Sequence, residues 1–245
     1  MKCVLLAAGY ATRLYPLTLN LPKSLLPVAG RTILDRILEK VDAVDAVDEV
    51  ILVSNSRFAA QFGDFLSARK SRVPASVLDD GTNDNDTRLG AIADLLFAVD
   101  KLGLDEDLMV LAGDNLFDFE LTDFARFFRE KDADCITAHR LEDLAQLRRT
   151  GVVELAGDFR VLSFEEKPAS PKSTWAVPPF YLYRRETLPL VREYLSAGGN
   201  PDAPGNFIPW LAKRRPVFAF TFPGWRWDIG NLESYEEAKR AFEGR

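Results

Sequence analysis

Through residues 1–140, short apolar runs alternate with amphipathic ones, and no other feature constrains the fold of this chain as strongly. Apolar runs at residues 3–7, 49–54, 75–78, 108–112 and 135–138 have the length and bounding turns of buried strands. Between them, residues 32–41 carry apolar side chains at 33, 34, 37, 38 and 41, the spacing of one helix face. Residues 57–70, 89–101 and 122–131 also read as helices. Strand, helix and strand in succession close into right-handed crossovers, so the pattern predicts a mainly parallel sheet covered on both faces. After residue 140 the rhythm changes. Strands at 151–155, 161–164 and 175–183 follow in quick succession. Helices at 185–195 and 207–213, a strand at 217–222 and a helix at 233–242 complete the pattern. No linker, internal repeat or low-complexity tract separates these parts. The expectation is one domain over 1–245, with a parallel half (1–140) and a mixed half (141–245).

Composition narrows the classes of function. Hydrophobic residues make up 47% and charged residues 28%, proportions of a soluble chain that buries a full core. The net charge is −6, and no run of Lys and Arg marks a nucleic-acid face. A field of that sign repels anions, so a phosphate-bearing ligand needs a local basic pocket. No apolar stretch approaches the roughly 20 residues that span a bilayer. The N-terminus lacks the basic region and cleavage site of a signal peptide. The expectation is a cytoplasmic protein without a nucleic-acid or membrane partner, and a homo-oligomer stays open. Cys3 and Cys135 lie in apolar runs without metal-ligand spacing and read as buried core thiols.

In open α/β sheets, ligands gather at the carboxyl edge of the strands. The first strand runs into Gly9 and a loop of small residues, with Arg13 and then Lys23 beyond. Small residues let backbone N–H groups approach a phosphate, and the two cations can neutralise its oxygens. By themselves they are equally a turn with two exposed cations. Asp114 follows the strand at 108–112, and Asp228 stands beside a second apolar segment. Each alone reads as readily as a turn or capping residue. Together they are the carboxylate pair that Mg²⁺ needs when phosphates complete its shell. Glu165-Glu166-Lys167-Pro168 reads as a solvated turn, or as a place where Glu166 accepts sugar hydroxyls and Lys167 holds a phosphate. The single histidine, His139, has no visible Ser or Cys partner, which argues against triad chemistry. The loop from Gly9 lacks the third glycine of a dinucleotide fingerprint and the Lys-Ser/Thr ending of a P-loop.

Taken together, these segments resemble the sugar-1-phosphate nucleotidylyltransferase family, and most closely its glucose-1-phosphate thymidylyltransferases, over residues 1–238. The resemblance lies in Leu6-Ala7-Ala8-Gly9-Tyr10-Ala11-Thr12-Arg13-Leu14, Pro22-Lys23-Ser24-Leu25-Leu26-Pro27, Gly113-Asp114-Asn115, Gly151-Val152-Val153-Glu154, Glu165-Glu166-Lys167-Pro168 and Trp227-Asp228-Ile229-Gly230. It implies a Rossmann-like α/β fold, the nucleotide-diphospho-sugar transferase fold, with a mainly parallel mixed sheet flanked by helices. It implies that the chain joins a nucleoside triphosphate, dTTP or UTP first, to a sugar-1-phosphate and releases pyrophosphate. Arg13 and Lys23 would be catalytic and hold the triphosphate. Ala8, Gly9, Asp79 and Gly90 would line the nucleotide. Gly151, Glu166 and Lys167 would bind the sugar phosphate, and Asp114 and Asp228 would hold Mg²⁺. Three departures stand out: Ala11 where the family usually has glycine, Leu78-Asp79-Asp80-Gly81 in the base-reading segment, and Pro178-Pro179 after a strand. Asp79 or Asp80 could accept hydrogen bonds from a base. The alternatives are a cytidylyltransferase acting on phosphocholine or inositol phosphate, and a non-catalytic sensor of nucleotide sugars. Four charged residues at 13, 23, 114 and 228 weigh against the sensor.

Overall fold

Most of the apolar runs become strands because neither of their faces meets water, while the run at 75–78 forms a half-buried edge strand. In the computed structural model, which describes residues 1–243, the first half comprises strand β1 (Lys2–Leu6), a small hairpin of β2 (Pro27–Val28) and β3 (Arg31–Thr32), and helix α1 (Ile33–Asp42). There follow β4 (Glu49–Ser54), α2 (Ala59–Ala68), β5 (Ala75–Asp79), α3 (Ala91–Leu102), β6 (Leu108–Ala112), β7 (Asn115–Phe117), α4 (Leu121–Lys131) and β8 (Asp134–Arg140). The second half adds α5 (Leu144–Leu147), β9 (Gly151–Leu155), β10 (Val161–Glu166), β11 (Trp175–Val177), β12 (Phe180–Tyr183) and α6 (Leu188–Ser196). It ends with α7 (Ile208–Leu211), β13 (Val217–Thr221), β14 (Arg226–Asp228) and α8 (Leu232–Glu243).

The main sheet runs β5-β4-β1-β6-β12-β8-β11-β9-β10, with β13 added to β8. Side chains alternate between its faces. Cys3 and Leu5 of β1, with Met109 and Leu111 of β6, enter a core shared with α1, α2 and α4. Val4, Leu108 and Val110 enter a second core with α3, α6 and α7. The helix faces match: Ile33, Leu34, Ile37, Leu38 and Val41 of α1 are all buried, and Thr32 Oγ1 caps the helix by accepting from the Asp35 N–H at 3.0 Å.

β5, β4, β1 and β6 are mutually parallel, as the alternation predicts. The strand at β8 is not next to β6, however. β12 inserts between them, antiparallel to both. The single strand predicted at 175–183 is two, split at Pro178-Pro179, which offer no N–H to a ladder. Before the break the chain pairs with β9 and β8, and after it with β6 and β8. Cys3 and Cys135 are both buried and unbridged, and burial pushes the Cys3 thiol up to about 12. No helix of the described residues is long and apolar enough to cross a membrane.

Candidate active site

β1 and β6 are parallel neighbours, so the loops after Leu6 and Ala112 leave the sheet at one edge. The Gly113 N–H donates to the Leu6 carbonyl at 2.9 Å. A Cβ on Gly113 would come within 2.8 Å of Leu5 Cδ2 and Ser24 Oγ, so glycine is what lets this loop nest against the turn carrying Lys23. Lys23 Nζ then donates to Asp114 Oδ2 at 2.6 Å, and Asn115 Nδ2 donates to Asp114 Oδ1 at 2.6 Å. Burial pushes the Asp114 carboxyl up, but the Lys23 ammonium, aided by Arg226 and Asn115, outweighs it and leaves the group below the usual carboxylate range.

Asp228 arrives by a different route. β14 pairs antiparallel with β7, with Asp228 opposite Asn115, and the Ile229 N–H donates to the Asp114 carbonyl at 3.2 Å. Two aspartates distant in sequence thus have neighbouring backbones. Among the described residues no group of three or more His, Cys, Asp or Glu is arranged to hold a metal ion. That donor set, two hard carboxylates beside cations suited to phosphate, fits Mg²⁺ held jointly by protein and substrate. Arg226 lies on the same face of β14 as Asp228. Its Nε donates to Asn115 Oδ1 at 2.6 Å, and its Nη2 is 3.4 Å from Asp228 Oδ2.

Register carries this level across the sheet. The Ala112 N–H bonds the Pro179 carbonyl at 3.1 Å, Val177 lies opposite Gly151, and Gly151 lies opposite Glu166. The Glu166 carboxyl is packed against Gly151 and Gly205, and a Cβ on Gly205 would collide with its Oε2. Burial raises the Glu166 carboxyl, opposed by Lys167 and Arg226. Lys167 stands at φ 48° with its side chain 60% exposed, its Nζ 3.8 Å from Glu166 Oε1. The charge of Arg226 is felt at Asp114, Glu166, Tyr181 and His139, so it links the two ends of the site. His139 is buried and stacked on Phe222; burial, then Arg226, lowers it to about 4 and keeps the imidazole neutral.

On the nucleotide side, Arg13 is exposed and makes no hydrogen bond or ion pair among the described residues. Ala11 has φ 49° and ψ 42°, the left-handed conformation, and its carbonyl accepts from Thr18 Oγ1 at 2.8 Å. The Ala8 carbonyl accepts from Asn55 Nδ2 at 2.8 Å, and Gly9 faces open space. Asp79 is half committed to a surface turn, where its Oδ1 accepts from Ser56 Oγ at 2.7 Å and the Gly81 N–H at 2.9 Å. Asp80 is turned inward and buried, accepting from Thr82 N–H and Oγ1 at 2.7 and 2.8 Å. Gly90, at φ 96°, opens α3, and a Cβ there would meet the Pro201 carbonyl oxygen at 2.7 Å.

Lys23, Asp114 and Asp228 therefore converge, with Gly151, Glu166 and Lys167 reached through Arg226. Asp79 and Asp80 are engaged within the protein. Arg226 and Gly205 escape the sequence reading, and Asn115 enters it only as part of the Gly113-Asp114-Asn115 segment. A period-two count back from Asp228 reaches Arg226 and was the one signal available for it.

Comparison with known proteins adds an independent line. A family model described as nucleotidyl transferase matches residues 2–244. The chain is 32% identical over 251 residues to a glucose-1-phosphate thymidylyltransferase of Streptomyces griseus, covering 98% of this chain and 65% of that protein. It is 35% identical over 141 residues to a glucose-1-phosphate adenylyltransferase of Thermomicrobium roseum, covering 55% of this chain and 32% of that one. The chain thus spans less than two thirds of the length of these relatives. Among solved structures, a UDP-glucose pyrophosphorylase complexed with UDP-glucose superposes with a TM-score of 0.83 at 20% identity, covering 99% of this chain and 98% of that one. A UDP-glucose pyrophosphorylase from Acinetobacter baumanii gives 0.80 at 19% identity, covering 98% and 92%. At those identities the likeness is one of fold.

Proposed function

The chain belongs to the nucleotidyl transferase family, and from that premise we propose that it joins a nucleoside triphosphate to a sugar-1-phosphate, releasing pyrophosphate and a nucleotide sugar. The observation that carries the proposal is the convergence of Lys23, Asp114 and Asp228 at one sheet edge. Arg13, without a protein partner among the described residues, and Lys23 hold the triphosphate oxygens. Asp114 and Asp228 hold Mg²⁺, which when bound supplies positive charge to the phosphates. Lys167 takes the phosphate of the sugar, and Glu166, cradled by Gly151 and Gly205, accepts from sugar hydroxyls. A sugar-phosphate oxygen attacks the α-phosphorus in line, and the bond to the departing pyrophosphate breaks. Catalysis of this kind rests on positioning and charge, with no covalent intermediate on the protein. The thymidylyltransferase relative supports dTTP or UTP as the nucleotide. Both substrates are multiply charged and do not cross a bilayer unaided, so we place the reaction in the cytoplasm.

A matrix of nucleoside triphosphates against sugar-1-phosphates, read as pyrophosphate released, tests this. Release is expected with dTTP or UTP and a hexose-1-phosphate, and chelation should abolish it. Release only from CTP with phosphocholine or inositol phosphate would reassign the acceptor. No release from any pair would sink the proposal.

A further inference from the structure

Two cations and two carboxylates meet in this site in one-to-one contact. Lys23 Nζ is 2.6 Å from Asp114 Oδ2, and Arg226 Nη2 is 3.4 Å from Asp228 Oδ2. A second bond ties the pairs together, since Arg226 Nε holds Asn115 Oδ1 while Asn115 Nδ2 holds Asp114 Oδ1. The Arg226 side chain is only 10% exposed, and a guanidinium stays charged at any working pH. A divalent cation held by Asp114 and Asp228 competes with Lys23 and Arg226 for these carboxylates and is repelled by their charge. Seating it therefore loosens the contacts of Lys23 with Asp114 and of Arg226 with Asp228. A buried cation released from its carboxylate needs another anion. Lys23 stands on the turn packed against the loop after β6. Arg226 touches Asp228, and its charge also reaches Glu166, the residue proposed above to bind the sugar.

We infer that Arg226 is an exchange cation, one that neutralises the metal carboxylates before a metal binds and offers its fork to the phosphate of the sugar-1-phosphate once it has. This rests on the proposed nucleotidylyl transfer. The fork geometry suits phosphate oxygens in a way an ammonium does not. The exchange couples the two ligands: metal binding frees Arg226 for phosphate, and phosphate relieves the repulsion that Arg226 exerts on the metal.

The coupling gives a signature of opposite signs. Mn²⁺ binding to the free protein, followed by electron paramagnetic resonance, should tighten about tenfold or more in Arg226→Gln, because a like charge a few ångströms from the metal has gone. Affinity for glucose-1-phosphate in the presence of Mn²⁺, measured by calorimetry without nucleotide, should fall about tenfold or more in the same variant. Arg226→Lys keeps the charge and loses the fork. It should bind Mn²⁺ like the wild type and recover only part of the sugar-phosphate affinity, and it serves as the test if Arg226→Gln does not fold. A residue that merely props up Asn115 and Asp228 would weaken both affinities when replaced. Weaker or unchanged Mn²⁺ binding in Arg226→Gln overturns the inference. So does unchanged sugar-phosphate affinity, stronger Mn²⁺ binding in Arg226→Lys, or no Mn²⁺ binding to any of the three proteins. These titrations involve no turnover, so their failure is distinct from a failure to release pyrophosphate.

Discussion

At φ 49° and ψ 42°, Ala11 holds a conformation that costs an L residue about 1 kcal/mol. The turn is over-determined: the Leu14 N–H at 2.9 Å and Thr18 Oγ1 at 2.8 Å both donate to the Ala11 carbonyl. The resembling family usually places glycine here, and the backbone shows why, since glycine adopts this conformation without the Cβ clash. Ala11→Gly should therefore raise the unfolding free energy by about 0.5–1 kcal/mol in urea melts. A loss of stability would mean that the methyl group's packing against the core outweighs the strain. Elsewhere, residue identity alone was a poor guide. Asp79 and Asp80 are neighbours with the same side chain, yet one is half committed to a surface turn and the other is buried. Nothing in the letters separates them, because the difference lies in which way each side chain leaves the end of β5.

At the scale of elements, the segment after β5 meets the first turn of α3 through a pair of acids. Asp80 and Asp94 are 8% and 6% exposed, and Asp80 Oδ2 and Asp94 Oδ1 have no hydrogen-bond donor among the described residues. One proton shared between them satisfies both. Burial, then the neighbouring Asp80 carboxylate, raises Asp94 to about 7. Burial and the nearby Asp79 charge raise Asp80 as well, but the Thr82 N–H and hydroxyl favour its ionised form, leaving the proton on Asp94. In the unfolded chain an aspartate ionises near pH 4. Between about 4 and about 7 the folded state therefore binds the extra proton, and stability falls as pH rises through that window. Asp94→Asn supplies a permanent donor to Asp80. It should stabilise the protein by about 2 kcal/mol at pH 8 and by little at pH 5. Equal effects at the two pH values in thermal melts would show that the pair does not share a proton. The sequence pattern placed α3 within two residues of its observed start, but it carried no sign of this pair, because Asp94 occupies a helix position where an exposed acid is ordinary.

At the scale of the molecule, both proposed substrates meet at an edge built from both halves of the chain, Lys23 and Asp114 from one and Glu166 and Asp228 from the other. His139 is buried and neutral, and the two thiols are buried, so none of them stands ready as an activated nucleophile. The proposed transfer should accordingly run through a ternary complex with sequential kinetics. An α-thio nucleotide of known configuration should give inversion at phosphorus, and retention would require an intermediate on the protein. That the first half forms a mainly parallel sheet, though not the order of its strands, was legible in the sequence by itself, because buried strands are apolar and crossover helices must bury one face. So were the signature loop and the individual charged residues, which ride on local strings. The insertion of β12 between β6 and β8, the short β7–β14 pair and the contacts of Arg226 with Asn115 and Asp228 were decided only by the tertiary structure. Three-residue strands are too short to show a period, and the antiparallel partner of β6 lies far along the chain. Long-range pairings of that kind are chosen by which surfaces fit once the core has formed, and no local pattern records the choice.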